Sequence, residues 1–314
     1  MIRILPLLLL TCLMTGTLQA QNSVKTKDAV NINGITQWIG VNGKDDSKPV
    51  LLFLHGGPGF SSRPYSRKFV KGLRKDFIVV QWDQRESGIT ASWSPMQEPL
   101  TLDMFHQDTY EVVQYLRKRF DREKIYLVGF SWGATLGLHF AKQHPELLHA
   151  YVSVSGSPHT EESERLTLER LKEKAEASHN EEALQEISQI EIPFQQWEAL
   201  YYQRKWTAYY SGVKTNSKTY PASLFEKWSV KWLPLFVEAS RVNYFESAAE
   251  IHCPIYFFHS NKDYASNYKL TEKYFHALKA EHKRMVWFEK STHEIPNQEP
   301  EKFSEELIKI SHSL

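Results

Sequence analysis

The stretch Val128-Gly129-Phe130-Ser131-Trp132-Gly133-Ala134 (V-G-F-S-W-G-A) decides how the rest of the chain is read. A serine stands between two glycines, with one bulky residue on each side. Lys124 to Val128 (K-I-Y-L-V) precedes it, a short apolar run that predicts a buried strand. Ala134 to Lys142 follows and reads as a helix, closed by His144-Pro145. Where a strand turns tightly into a helix, the side chain at the turn is pushed out to react. Glycines at Gly129 and Gly133 let backbone segments approach where a side chain would clash. The pattern G-x-S-x-G in that setting predicts a nucleophile at Ser131.

Outward from this turn the chain alternates. Val50 to Leu54 (V-L-L-F-L), Phe77 to Trp82 and Ala150 to Val154 read as strands, and Leu102 to Phe120 has the apolar spacing of a helix with basic residues near its end. After Ser157 the pattern breaks. Glu161 to Ala177 is a charged amphipathic helix, and 190–245 is rich in Trp and Tyr without a clear strand. Alternation resumes with a strand at Pro254 to His259, a helix near Ser266 to Leu278, a strand at Arg284 to Phe288 and a last helix from Pro300. The expectation is an α/β fold, a mostly parallel sheet flanked by helices on both faces. Its core spans 21–157 and 248–314, and a helical cap insertion covers 158–247. Most of the insertion's Trp and Tyr residues are expected to pack it onto the sheet domain, and some to line an apolar pocket.

A serine nucleophile needs a base, and the base needs an orienting carboxylate. On this architecture they follow the serine in the order acid, then histidine. Asp263 is the only aspartate after Ser131, in the loop H-S-N-K-D-Y just past a strand. His293 lies in K-S-T-H-E, just past the next strand. His259, within its own strand, and His276, in mid-helix, fit the base position less well. The oxyanion needs two backbone N–H donors. Trp132, the residue after the nucleophile, supplies one. H-G-G-P-G, His55 to Gly59, supplies the other, from Gly57 or alternatively Gly56.

Composition bounds the partners. With 38 Lys and Arg against 37 Asp and Glu, the net charge of +1 offers no field for nucleic acid or an anionic membrane. The expected partner is a small peptide or ester substrate, with no nucleic acid and no stable membrane partner. No cofactor or metal is expected, because no His/Cys cluster has ligand spacing. At the N-terminus Arg3, an apolar run from Ile4 to Met14 and a small-polar end at Ala20 read as a signal peptide over 1–20. The apolar run is short for an uncleaved membrane anchor, which is the other reading, and a lipid on Cys12 is a third. Export to the periplasm or medium would remove Cys12 and leave Cys253 with no intramolecular partner.

H-G-G-P-G, Trp82-Asp83-Gln84-Arg85 and G-F-S-W-G together resemble the α/β-hydrolases of the proline iminopeptidase type, from about Val50 to the C-terminus. The resemblance implies a Ser-Asp-His hydrolase with Ser131, Asp263 and His293 as its triad and a helical cap over the site. It implies a structural ion pair of Asp83 and Arg85 near the active-site floor. It also implies cap glutamates that hold a substrate's free amino group, with Glu198 in Gln196-Trp197-Glu198 as candidate. The second such motif reads Ser240 to Phe245 (S-R-V-N-Y-F) and lacks its acid, leaving Glu238 or Glu246 nearby. Other departures are Glu86 and Thr292, where the family usually carries glycine, and Ser260-Asn261-Lys262 before the acid. The implied activity is release of an N-terminal proline or another small residue. Hydrolysis of a carboxylic ester or lactone is the alternative, and a non-catalytic binding protein on the same scaffold is the competing class.

Overall fold

A computed structural model of the chain describes residues 22–314. The expected signal over 1–20, with Cys12, lies outside the described residues. Eight strands form one sheet in the order β1-β2-β4-β3-β5-β6-β7-β8. They are β1 Val24–Ile32, β2 Ile35–Gly43, β3 Val50–Leu54, β4 Ile78–Asp83, β5 Ile125–Phe130, β6 Leu148–Val154, β7 Ile255–His259 and β8 Lys283–Trp287. From β4 onward every neighbouring pair is parallel. The pairs β1–β2 and β2–β4 are antiparallel.

Strand period dictates the layers. In β3, Val50, Leu52 and Leu54 face one side of the sheet and join one core cluster, while Leu51 and Phe53 face the other and join a second. All five residues of β3 and all six of β5 are buried, as parallel strands covered on both faces require. The flanking helices in the first half are α1 Arg67–Leu73, α2 Gly88–Trp93, α3 Leu102–Phe120 and α4 Trp132–Gln143. α3 buries Phe105, Val112, Val113 and Leu116 and carries Arg117, Lys118 and Arg119 in its last turn, where cations oppose the helix dipole.

The chain leaves the sheet after Val154 and returns at Ile255. Between lie α5 Thr160–Ala177, α6 Glu181–Ile187, α7 Trp197–Tyr210, α8 Ala222–Ser240 and α9 Tyr244–Ser247. These helices have an apolar cluster of their own, which includes Leu171, Ile187, Phe194, Leu200 and Trp206. α8 also joins the sheet's core through Trp232, Leu235 and Ala239. Polar ties run the same way. Trp228 Nε1 donates to Pro58 O at 2.9 Å, and Leu102 N donates to Glu238 Oε2 at 3.2 Å. Beyond β7 come α10 Tyr268–Ala277, α11 Ile295–Gln298 and α12 Pro300–Ser313.

Two strands were not expected. β1 and β2 form a hairpin closed at Asn33-Gly34, both with positive φ (46° and 83°). Elsewhere boundaries move by a few residues, and at one place this matters. β5 runs on to Phe130 and α4 begins at Trp132, so Ser131 alone makes the turn.

Candidate active site

A single-residue turn from strand to helix forces an unusual backbone. Ser131 has φ +53°, a region that non-glycine residues seldom occupy and that costs of order 1–3 kcal/mol when they do. The cost is met by close packing around the turn. Ser131 N donates to Val154 O at 2.9 Å on the neighbouring strand, and Ala134 N donates to Ser131 O at 2.8 Å. A Cβ on Gly129 would lie 2.3 Å from Gly133 O, and one on Gly133 would lie 2.2 Å from Leu54 O. Strand β5, the turn and the end of β3 therefore touch through backbone alone.

Two further loops at the same end of the sheet meet this serine. Asp263 follows β7 and is buried. Its Oδ1 accepts from the backbone N–H of Ala265 (2.8 Å) and Ser266 (2.9 Å). Its Oδ2 accepts from His293 Nδ1 at 2.9 Å. His293 follows β8, and its Nε2 stands 2.9 Å from Ser131 Oγ. The acid and histidine loops are tied to each other. Ser260 Oγ donates to Ser291 O at 2.5 Å, and Lys262 Nζ donates to Glu289 O at 2.7 Å. Ser155, another positive-φ residue, donates from Oγ to His293 O at 2.8 Å.

Electrostatics follow from this geometry. For His293, burial works against the imidazolium, but the Asp263 charge and hydrogen bond outweigh it, and the pKa is raised above the ordinary imidazole value. For Asp263, burial favours the neutral acid, but the facing His293 outweighs that, and the carboxyl is held below its ordinary range. The other two histidines are placed elsewhere. His259 is buried, with Nε2 3.3 Å from Thr271 Oγ1, and burial pushes its pKa down. His276 is exposed on α10.

Ser131 and His293 open into a cavity of about 670 Å³ between the strand ends and the inserted helices. Trp132, Gly57 and Gly56 line it as well. Gly57 has φ +127°, and a Cβ there would lie 2.6 Å from Gly59 N, so only glycine carries this backbone past the site. Trp132 is anchored by its indole, which donates to Gln84 Oε1 at 2.9 Å. Of the aromatic residues in 197–232, Tyr220, Phe225 and Trp228 line the cavity, while Trp206 and Trp232 are buried in packing.

Three expectations need correction. Asp83 and Arg85 do not pair with each other. Arg85 pairs with Asp108, Nη2 to Oδ1 at 2.8 Å, and Asp83 accepts from Ile89 N at 2.8 Å and faces Arg63 at 3.7 Å. Arg85 follows β4 in the chain but finds its counter-ion on α3, a partner that sequence adjacency does not suggest. Glu198 is not among the residues that line the cavity. It sits in the first turn of α7, where a carboxylate favours the helix N-terminus. Glu238 and Glu246 are exposed and also off the cavity. The charged residues of the inserted helices that do line it are Glu164 and Arg204, from α5 and α7. Glu294, beside His293, lines it from the sheet side.

The departure at Glu86 has a structural reason. Its backbone is left-handed (φ 53°), as a glycine's would be, and its carboxylate pairs with Lys231 of α8. The residue exchanges backbone comfort for a tie between the sheet loop and the inserted helices.

A family model described as alpha/beta hydrolase fold matches residues 49–296. A "Probable aminopeptidase YbaC" of Bacillus subtilis (strain 168) is 29% identical over 308 residues, covering 91% of this chain and 96% of that one. A "Proline iminopeptidase" of Arabidopsis thaliana is 32% identical over 105 residues, 33% of this chain and 26% of that protein. Among solved structures, the proline iminopeptidase of Mycobacterium smegmatis superposes with a TM-score of 0.64 at 17% identity, covering 92% of this chain and 98% of that one.

Proposed function

We propose that this chain, which belongs to the α/β-hydrolase fold family, is an exported serine hydrolase that forms an acyl-enzyme at Ser131 and releases it to water. The carrying observation is the unbroken run of hydrogen bonds from Asp263 Oδ2 through His293 to Ser131 Oγ, 2.9 Å at each step. In this reading His293 Nε2 takes the hydroxyl proton as Oγ attacks the acyl carbon. Asp263 holds the ring in the Nδ1–H tautomer and offsets the imidazolium charge. The backbone N–H groups of Gly57 and Trp132 receive the oxyanion. His293 then gives its proton to the leaving amine or alkoxide. Water repeats the sequence on the acyl-enzyme, and Ser131 recovers its proton.

The first substrate reading is an aminopeptidase that releases N-terminal proline or another small residue, favoured by the names of the relatives. With Glu198, Glu238 and Glu246 off the cavity, Glu294 is the carboxylate placed to receive an α-ammonium, since it lies next to the base. The second reading, a carboxylic ester or lactone hydrolase, is favoured by the pairing of Glu164 with Arg204, which leaves the inserted helices no free anion at the cavity. Export through residues 1–20 belongs to the same proposal. Cys253, the one cysteine among the described residues, is buried and unpaired, so the fold asks nothing of an oxidising compartment.

A fluorophosphonate probe tests the chemistry. Wild-type protein is expected to be labelled at Ser131 and the Ser131→Ala variant not at all; equal labelling of both removes the proposal. Turnover of a prolyl anilide against a short acyl ester separates the two substrate readings. Cleavage of the anilide that falls sharply in Glu294→Gln supports the aminopeptidase, and cleavage of the ester alone supports the esterase. Cell fractionation with and without residues 1–20 tests export.

A further inference from the structure

The inserted-helix wall of the cavity holds an ion pair that the acyl-transfer chemistry does not use. Arg204 Nη1 donates to Glu164 Oε2 at 2.8 Å, and Nη2 donates to the other oxygen, Oε1. Gln203 Nε2 donates to Glu164 Oε2 as well, at 2.8 Å. The two members are unequally covered. The Glu164 side chain keeps 3% of its accessible surface and that of Arg204 keeps 20%. The carboxylate is thus pinned behind, and the guanidinium is the member turned to open space. A guanidinium carries five N–H groups. Two serve Glu164, and the other three have no acceptor among the described residues. One turn further along α7, Thr207 lines the same cavity, and its Oγ1 also lacks a partner among the described residues. About 670 Å³ is room for an acyl group well beyond a single small residue.

Charge balance decides what this wall accepts. The pair is neutral as a whole. A substrate ammonium would meet the outward guanidinium and be repelled. A carboxylate would bring an uncompensated buried charge into a cavity that Glu294 already lines. A neutral carbonyl oxygen takes the free N–H groups and leaves the balance intact.

We infer that Arg204, positioned by Glu164, is a specificity-determining residue that binds a neutral carbonyl acceptor (amide, ester or ketone) in the substrate's acyl group, apart from the carbonyl that reacts. The inference rests on the acyl-enzyme reading of Ser131 and favours an acyl group longer than one N-terminal residue, since a single residue carries no carbonyl besides the one that reacts.

Four fluorophosphonate probes of matched length test it, their chains ending in a methyl group, a methyl ketone, a carboxylate or an ammonium, in a short and a long set. In wild-type protein the ketone probe is expected to label Ser131 about tenfold faster than the methyl probe at one length or both, the scale of a hydrogen bond to a charged donor. The carboxylate and ammonium probes should be slower than the ketone. In the double variant Glu164→Gln/Arg204→Met, which strands no buried charge, the ketone-to-methyl ratio should fall to about one. Equal rates for all four probes in wild-type protein, or the ammonium probe fastest, overturn the inference without any variant. So does a ketone preference that survives in the double variant. No labelling by any probe defeats the Ser131 reading itself, an outcome distinct from labelling at equal rates.

Discussion

Replacing Asp263 by asparagine isolates one atom's contribution. The side chain keeps its shape, and its environment leaves the new amide little choice. Oδ1 accepts from two backbone N–H groups, the half-buried Ala265 and the buried Ser266, at 2.8 and 2.9 Å. If the amide NH₂ turned toward them, two donors would lose their acceptor, at about 1–3 kcal/mol each. The carbonyl therefore stays on the backbone, and the NH₂ faces His293 Nδ1, where Oδ2 accepted at 2.9 Å. Nδ1 must then accept, and the ring proton moves to Nε2, the nitrogen 2.9 Å from Ser131 Oγ. An Nε2–H imidazole cannot take the serine proton. The expected loss in kcat is about 10⁴-fold, some 5 kcal/mol of transition-state stabilisation. Turnover of whichever acyl ester or prolyl anilide the wild type cleaves reads the effect, with thermal unfolding as control. Because both backbone N–H groups keep their acceptor, the melting temperature should change little. An Asp263→Asn enzyme within tenfold of wild-type kcat would refute the assignment of Asp263 as the residue that fixes the imidazole.

The pH profile carries a second test. The base works only when neutral, and the His293 pKa is raised, so kcat/KM should fall as pH drops through a value above the ordinary imidazole pKa of about 6.5. In Asp263→Asn burial persists without the opposing carboxylate, and that limb should shift to lower pH; a limb that stays in place contradicts the cause assigned. At the turn, Gly133→Ala places a methyl group 2.2 Å from Leu54 O, between backbone segments that cannot yield cheaply. It should cost about 1–3 kcal/mol or more of stability and slow labelling of Ser131, both visible in a melting curve and a labelling time course. Asp108 is wholly buried and accepts from Arg85, Asn33 and Gln37. Asp108→Leu leaves the Arg85 charge stranded and should destabilise the protein by about 3–5 kcal/mol in urea unfolding; a change under 1 kcal/mol would mean water reaches the guanidinium.

Much of this was legible along the chain, for local reasons. A buried parallel strand needs a continuous apolar run, so β3, β5 and β7 announce themselves. Scarcity picks out Asp263, the only aspartate after Ser131. The hairpin β1–β2 was legible too and went unread. Val24 to Ile32 alternates half-buried and exposed residues, and Asn33-Gly34 is a strong two-residue turn signal. Its polar half-faces lack the apolar run that marks the other strands.

The residues that went unseen share another property: their partners lie far away in sequence. Glu164 and Arg204 look like solvated charges on amphipathic helices, and nothing within either helix says that the two meet 40 positions apart at a cavity wall. Arg85 invites pairing with nearby Asp83, yet Asp108 on α3 takes it. Glu198 matches a motif, but a motif records neighbours along the chain and not the rotation of a helix toward a cavity. The order of elements and the side chains proposed to react are thus written locally, in period, glycine spacing and chain order. Which charges face the cavity was decided only by packing, because a buried charge is matched by whatever counter-ion the fold brings within reach, wherever that counter-ion sits in the chain.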